Sequence, residues 1–308
     1  MQRSAKDYIA LLFKGIAMGA ADVVPGVSGG TIAFISGIYE ELLGSIKSIN
    51  VENLKILLKG DIAAFWTKIN GWFLLVLFGG IGISVVSLAK IITHLLATYP
   101  QLIWGFFFGL IIASILFIGK SITKFNAQSI ISMVIGTGVA YWITVIEPSQ
   151  LDTPIWFVFV AGAIAICAMI LPGISGSFIL LLMGMYSYIL TSIKDLNILV
   201  LGVFAAGCVT GLLGFSRVLS WLLSKYNDIA LAVLTGFMIG SLNKVWPWKI
   251  TTKYRTNSHG DEVPFLQKNI SPMDYEGDSQ LIMVIGLSIV GFLVIFLMEK
   301  FAKKNEVD

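Results

Sequence analysis

The chain has 308 residues, of which 56% are hydrophobic and only 13% are charged. Soluble domains carry roughly 25% charged residues, so this composition excludes an ordinary soluble protein and places the chain in a lipid bilayer. The net charge of +3 is small, and no basic cluster is interleaved with aromatic residues, which argues against nucleic-acid binding.

The first apolar region, 8–46, is interrupted in its middle by the sequence PGVSGG at 25–30. Proline ends a helix, and paired glycines allow backbone angles that other residues resist. Because the region is too short for two full crossings around a central break, it predicts a re-entrant helical hairpin. A polar insert follows, and then come three apolar stretches of transmembrane length. The insert is 51–70, and the three predicted spans are 72–98, 101–119 and 129–146.

The second half of the chain follows the same order of elements. Its first apolar region, 155–193, is interrupted by PGISGS at 172–177 and predicts a second re-entrant hairpin. Three further stretches are long and apolar enough to cross the bilayer, and a polar loop separates the last two. The predicted spans are 198–223, 229–246 and 280–298, and the polar loop is 247–279.

An internal repeat relates the two halves, because PGVSG at 25–29 recurs 147 residues later as PGISG at 172–176. Further matches follow in order, such as Tyr39 with Tyr186 and Lys90 with Arg217. The copies, residues 1–146 and 153–301, each hold one hairpin and three crossings. Since three is odd, the second copy starts on the opposite face of the membrane. The predicted fold is therefore an all-α polytopic membrane protein of two inverted repeats, an architecture typical of secondary transporters.

The orientation in the membrane follows from Lys and Arg in the short loops, because positively charged loops stay in the cytoplasm. With the N-terminus inside, the inner segments carry thirteen Lys and Arg residues and the outer segments carry five. Both termini are therefore expected to be cytoplasmic. The polar loop 247–279 is expected to face outward and to be mobile or to cap the outer mouth.

The two breaks predict a binding site for an oxyanion. The helix that restarts after each break presents unpaired N–H groups and a partial positive charge, and neighbouring hydroxyls add donors. Two such helix ends that approach from opposite faces would bind a phosphate near the midplane. The alternative is that the breaks are kinks that only serve helix packing. The predicted binding residues at the breaks are Ser28, Gly29, Gly30, Thr31, Ser175, Gly176 and Ser177.

Charged residues inside the spans add further candidates. Lys90 and Arg217 occupy matched positions in the two copies, and each is costly in a membrane helix, so they are expected to neutralise a bound anion. The alternative is that both side chains extend to the membrane surface, as is expected of Lys244 near an outer helix end. No metal site or cofactor is expected.

Other polar residues near the breaks are weaker candidates. Asp22, just before the first break, is a candidate proton carrier or charge partner, with helix capping as the alternative, and Glu40 is a second candidate of this kind. Tyr39 and Tyr186 are candidate head-group contacts, with interfacial anchoring equally well supported.

The sequence MGAADVVPGVSGGTIAF at 18–34, followed by GIYE at 37–40, resembles the signature of the PopT family of undecaprenyl-phosphate translocases, formerly catalogued as a domain of unknown function. LPGISGS at 171–177 and WPW at 246–248 extend the resemblance over the whole chain. The resemblance implies a bacterial plasma membrane protein. It would return undecaprenyl phosphate from the outer to the inner leaflet for the synthesis of peptidoglycan and other envelope polymers.

The expected function is therefore transport of a polyprenyl phosphate by alternating access around a midplane phosphate site. Two alternatives remain open. One is an intramembrane polyprenyl-pyrophosphate phosphatase, a class that also uses inverted re-entrant hairpins, although Gly29 and Gly30 replace the Arg-Ser pair of its motif. The other is a transporter of a small soluble anion. A lipid substrate requires an opening toward the bilayer, whereas a soluble one requires only aqueous vestibules.

Overall fold

The computed structural model describes residues 3–23, 28–145, 154–256 and 262–304, and these ranges are mostly helical. In the first half the helices are α1 (Ala5–Val23), α2 (Gly29–Ile35), α3 (Tyr39–Lys47), α4 (Val51–Leu58), α5 (Ile62–Lys68), α6 (Gly71–Thr98), α7 (Pro100–Lys120) and α8 (Ala127–Val145). In the second half they are α9 (Ile155–Ile170), α10 (Gly176–Leu182), α11 (Tyr186–Lys194), α12 (Ile198–Lys225), α13 (Asn227–Val245) and α14 (Leu281–Lys304).

Four of these helices, among the described residues, are long and apolar enough to cross a membrane: α7, α8, α12 and α13. A fifth crossing results if α5 and the first part of α6, which meet at a bend of 69°, form one span. The helix α9 and the segment Leu281–Leu297 of α14 are apolar but shorter. A helix also covers each of the six segments predicted to span. The chain is therefore a polytopic helical membrane protein.

Each predicted hairpin consists of three helices, one long and two short. The short helices have matching lengths, since α2 and α10 have 7 residues and α3 and α11 have 9. Gly37 and Gly184 separate the short helices, with φ of +73° and +70°. A left-handed residue of this kind ends a helix, and glycine adopts it without steric cost. The matched glycines of the sequence repeat therefore produce the same turn twice.

Helix packing links the two halves of the chain reciprocally. Within the halves, α1 lies along α6 and α9 lies along α12, and α6 and α12 both have 28 residues. Between the halves, α7 packs against α14, and α8 packs against α13. Glycine permits these close contacts, since a Cβ at Gly109 of α7 would overlap the Ser288 carbonyl oxygen and one at Gly236 of α13 would overlap that of Met133.

The chain is mostly helical, as predicted, but the polar loop 247–279 adds a small sheet that the sequence did not predict. The loop contains an antiparallel β-hairpin of strands β1 (Lys249–Thr256) and β2 (Glu262–Asn269). β-branched residues in both strands favour the extended backbone. Two indole N–H groups hold the loop in shape: Trp246, directly after α13, donates to the Ile270 carbonyl, and Trp248 donates to that of Ser279, each at 2.9 Å.

Candidate functional site

Each break contacts the other hairpin inside the protein. We call residues 24–28, between α1 and α2, the first break, and residues 171–175, between α9 and α10, the second break. Pro25, Gly26 and Val27 of the first break lie outside the described residues. Ser28 Oγ donates to the Met169 carbonyl oxygen at 2.9 Å.

Two more hydrogen bonds join the hairpins at the same place. The Tyr39 hydroxyl donates to the Ile170 carbonyl at 3.1 Å, and the Gly173 N–H donates to Thr31 Oγ1 at 3.0 Å. Met169 and Ile170 are the last two residues of α9, so their carbonyls belong to the group that lacks partners within a helix. Side chains of the first hairpin therefore cap the end of a helix in the second.

Glycine allows this close approach. A Cβ at Gly30 would overlap the carbonyl oxygen of Ile170, and the rest of α2 is almost entirely buried. On the other side, Gly173 has φ +84° and lies against the backbone of Met238 in α13. Larger residues at Gly30 or Gly173 would push the second hairpin away from its neighbours.

The first N–H groups of α2 already have partners within the first hairpin. The Asp22 carboxylate accepts from Gly29 N–H at 2.7 Å, and Ser28 Oγ accepts from Gly30 N–H at 3.1 Å. Asp22 therefore caps α2, which is the alternative role considered for it above. In this conformation a phosphate at the first break would compete with Asp22 for these donors.

The second break is arranged differently. Ser175 precedes α10 and makes no side-chain capping bond, and its hydroxyl instead lies 2.9 Å from that of Ser177. Gly176, between the two serines, lies against the Ala165 carbonyl of α9. The predicted residues Ser175, Gly176 and Ser177 thus lie together, and the two serine hydroxyls are hydrogen-bonded to each other.

Arg217, one of the two predicted cations, makes its hydrogen bonds away from the breaks. The Arg217 guanidinium donates to the carbonyls of Leu213, at 2.5 Å, and Ile49, at 3.2 Å, so its hydrogen bonds join α12 to the segment after α3. Lys90 lies in α6, and its side chain is outside the described part of the structure.

The acidic and aromatic candidates differ in their exposure and in their hydrogen-bond partners. Glu40 is exposed, and its neighbour Glu41 instead pairs with Arg3 and accepts from Asn70. Tyr39 is only 2% exposed and binds across the hairpins, so interfacial anchoring of this residue is excluded. Tyr186 begins α11 and is half-buried.

Sequence reasoning missed a cationic cavity of about 340 Å³ between the ends of α8 and α13, the helix α10 and the β-hairpin. We call it the lysine cavity. Among the described residues its polar lining is Tyr141, Thr144, Asn243, Lys244, Lys249, Gln267, Lys268 and Asn269, with no carboxylate. Lys244 was expected to extend to the membrane surface, but its ammonium lies 4.3 Å from the ring centre of Phe178 in α10. The clustering of Lys244 and Lys249 around WPW was the available sequence signal.

Comparison with known proteins places the chain in a family. The model of the VCA0040-like family, described as undecaprenyl phosphate translocase-like, matches residues 18–263, which include both breaks and the start of the β-hairpin. The chain belongs to this family. No solved structure matches the chain.

Two curated members of similar sequence carry the same name. A polyprenyl-phosphate transporter of Vibrio cholerae serotype O1 is 48% identical over 308 residues, which is 99% of this chain and 100% of the relative. A polyprenyl-phosphate transporter of Staphylococcus aureus is 32% identical over 254 residues, or 77% of this chain and 85% of the relative. Family members are thus named as transporters, and the chain is, like them, a multi-pass membrane protein.

The role of Asp22 can be tested by separating its charge from its hydrogen bond. The Asp22→Asn variant retains an oxygen that accepts from Gly29, so we expect its stability to change by less than about 1 kcal/mol. Asp22→Ala removes the cap of α2 and should cost about 1–2 kcal/mol. Thermal unfolding of the purified variants in detergent measures both. An equal loss for the two variants would contradict a capping role.

Proposed function

We propose that this protein transports undecaprenyl phosphate, or a related polyprenyl phosphate, from the outer to the inner leaflet of the bacterial plasma membrane. The names of its relatives support a lipid phosphate as the substrate. The observation that carries the mechanism is the direct hydrogen bonding of the two hairpins beside their breaks, through Ser28, Tyr39 and Thr31. These bonds join the hairpins of the two sequence copies at the centre of the predicted site.

The chemistry of the substrate explains what the protein must supply. A phosphate monoester cannot cross a bilayer unaided, because transfer of its charge into hydrocarbon is prohibitively unfavourable. The isoprenoid tail is as apolar as the surrounding lipid and needs no enclosure. The protein therefore has to shelter only the head group, and backbone N–H groups, hydroxyls and cations are suited to that task.

The proposed architecture is a pair of inverted copies, with residues 1–146 and 153–301 on opposite sides of a pseudo-two-fold axis. Equal lengths of the short helices and of α6 and α12 support it, as does the reciprocal packing of α7 with α14 and α8 with α13. With the N-terminus in the cytoplasm, the β-hairpin lies on the outer face. Related halves of this kind expose one site alternately to the two sides.

In the proposed cycle the two hairpins separate and close again around the phosphate. The hydroxyls of Ser28 and Thr31 now bind the backbone of the second hairpin, and they would bind phosphate oxygens when the hairpins part. Because bonds to a charged oxygen replace bonds to buried backbone groups, neither state leaves these side chains without partners. The present conformation corresponds to closed breaks.

The competing phosphatase function requires a group that holds the phosphoryl moiety at the break. Among the described residues no guanidinium bonds to either break, since Arg3 pairs with Glu41 and the hydrogen bonds of Arg217 go to Leu213 and Ile49. Transport is therefore the function that the geometry supports better.

A phosphatase-protection experiment tests the proposal. Liposomes with undecaprenyl phosphate in both leaflets are mixed with an impermeant phosphatase, which alone hydrolyses only the outer half. We expect the reconstituted protein to make nearly all of the lipid accessible. Hydrolysis that stops at half would contradict lipid transport. Release of phosphate from undecaprenyl pyrophosphate without added phosphatase would favour the enzyme, and uptake of free phosphate would favour the soluble-anion alternative.

A further inference from the structure

Three lysines and no acidic side chain line the lysine cavity, as far as the structure describes the chain. The Lys249 ammonium lies 3.7 Å from the ring centre of Trp104 and donates to the Lys244 carbonyl at 2.6 Å. The only ion pair between described residues is that of Arg3 and Glu41, which lies elsewhere. Burial, and then the neighbouring Lys244 cation, lower the pKa of Lys249 well below its ordinary value. An anion that enters the cavity would relieve this unfavourable arrangement.

Neutral polar groups at the rim of the cavity have fixed orientations. Asn269 donates to both the carbonyl and the side-chain oxygen of Asn243 at 2.8 Å, and Asn243 donates to Thr144 at 2.7 Å. The Lys244 ammonium, in contrast, makes no hydrogen bond with a described residue and lies over the Phe178 ring. Lys244 is therefore free to donate its hydrogen bonds to a ligand.

An apolar groove of about 670 Å³ lies between α8 and α13, next to the cavity. The two spaces share Tyr141 and Asn243 as lining residues, so they lie directly beside each other. Small residues give the groove its depth, and a Cβ at Gly138 would meet no atom within 4 Å. Val134 lines the groove on the membrane helix α8, and its side chain is 65% exposed. The groove is therefore open sideways toward lipid.

We propose that the lysine cavity and the groove together form the entry site for the lipid phosphate. The phosphate lies against Lys244, Lys249 and Lys268, and the first isoprene units lie in the groove between α8 and α13. The proposal rests on the transport function above and adds to it an initial binding site, which the substrate occupies before it reaches the breaks.

The shape and charge of this site distinguish among anions. A free phosphate would fill the cavity but leave the apolar groove empty, and a phospholipid diester carries less charge than a monoester and has two bulky chains. A single chain ending in a phosphate monoester matches both parts. Phe178, Leu181 and Leu182 of α10 form the apolar wall of the cavity, and α10 begins directly after the second break. The entry site therefore ends beside the predicted midplane site.

Neutralising Lys244 tests the cationic part. In nanodiscs, we expect Lys244→Gln to weaken the binding of undecaprenyl phosphate roughly 10- to 100-fold, because a hydrogen bond to a charged group is lost. Lys244→Arg should restore most of it. Lys253→Gln is the control, since Lys253 lies on the β-hairpin that borders the cavity but is exposed and does not line it. Undecaprenol, inorganic phosphate and phosphatidylglycerol serve as the comparison ligands, and each should bind more weakly than the lipid phosphate.

Filling the groove tests the apolar part. Gly138→Leu places a side chain in open space, so it should fold normally while weakening the binding of undecaprenyl phosphate at least tenfold. Its effect on inorganic phosphate should be negligible. Gly202→Leu is the matched control, because Gly202 in α12 also faces open space but lies away from the groove.

Three outcomes would overturn the proposal. Unchanged binding of undecaprenyl phosphate by Lys244→Gln, with the wild type active in the phosphatase-protection experiment, would reject the entry site and leave transport standing. Inorganic phosphate or phosphatidylglycerol that binds as tightly as the lipid phosphate would reject the match between site and ligand. A wild-type protein that neither binds nor moves the lipid would reject the entry site and the transport function together.

Discussion

Gly30→Ala is expected to destabilise the protein by about 3 kcal/mol and to abolish transport. The added Cβ would overlap the Ile170 carbonyl oxygen, and its next neighbours are also backbone atoms of α9. Backbone at a helix end cannot move aside as a flexible side chain can. The loss of stability is therefore expected at the upper end of the range for overpacked sites. The clash also forces apart the two hairpins whose contact defines the closed breaks. Thermal unfolding in detergent and the phosphatase-protection experiment measure the two effects.

Gly44→Ala provides the matched control for this substitution. Gly44 lies in α3 of the same hairpin, and a Cβ there would meet nothing within 4 Å. Since alanine favours a helix over glycine by about 1 kcal/mol, this variant should be equally stable or slightly more stable than the wild type. A Gly30→Ala protein that unfolds at the temperature of Gly44→Ala would show that the two hairpins do not touch as described.

Ser28→Ala is expected to cost about 2–3 kcal/mol and to slow transport. Ser28 is 1% exposed, and its hydroxyl accepts from Gly30 N–H while donating to the Met169 carbonyl. The variant loses a helix cap, worth about 1 kcal/mol, and leaves a buried carbonyl unpaired at a cost of about 1–3 kcal/mol. In the proposed cycle it also removes a donor to the phosphate. Unfolding temperature and initial rate of lipid transport are the measurements.

Ser87→Ala is the matched control, because it also removes a serine hydroxyl from a helix of the membrane domain but at an exposed position. Ser87 is exposed in α6, and its hydroxyl bonds only to the Ile83 carbonyl of its own helix. We expect Ser87→Ala to change stability by less than about 0.5 kcal/mol and to leave transport unchanged. Equal losses for Ser28→Ala and Ser87→Ala would argue that Ser28 has no special position.

The contact of the hairpins at their breaks could be anticipated because the sequence contains the same signal twice. Proline and glycine break a helix through local backbone constraints, so PGVSG and PGISG predict broken helices whatever the tertiary fold. The apolar stretches likewise predict helices by length alone. The turns at Gly37 and Gly184 follow from their matched positions in the repeat.

The partners of the polar groups could not be anticipated in the same way. A hydroxyl binds whichever acceptor the tertiary fold brings near, and for Ser28 that acceptor is Met169, 141 residues away. The same reason explains why Arg217 was assigned to an anion although its hydrogen bonds go to Leu213 and Ile49. Position in the sequence repeat was therefore a poor guide to the partners of these groups.

The lysine cavity was missed for a related reason. Its walls come from α8, α10, α13 and the β-hairpin, and no sequence window contains more than part of them. Lys244, read alone, resembles any lysine near a helix end. Only the folded chain shows that Lys249 and Lys268 approach the same space and that no carboxylate of the described residues does.

The pairing of α7 with α14 and of α8 with α13 has a consequence for biogenesis. The ribosome completes α7 and α8 long before either partner exists, so the first half enters the bilayer with its glycine-rich contact faces uncovered. Gly109 of α7 contacts its neighbour Ser288 only once α14 has been inserted. The packing of α7 is therefore completed late in synthesis, and a chain truncated before α14 would leave this glycine-rich face uncovered in the bilayer.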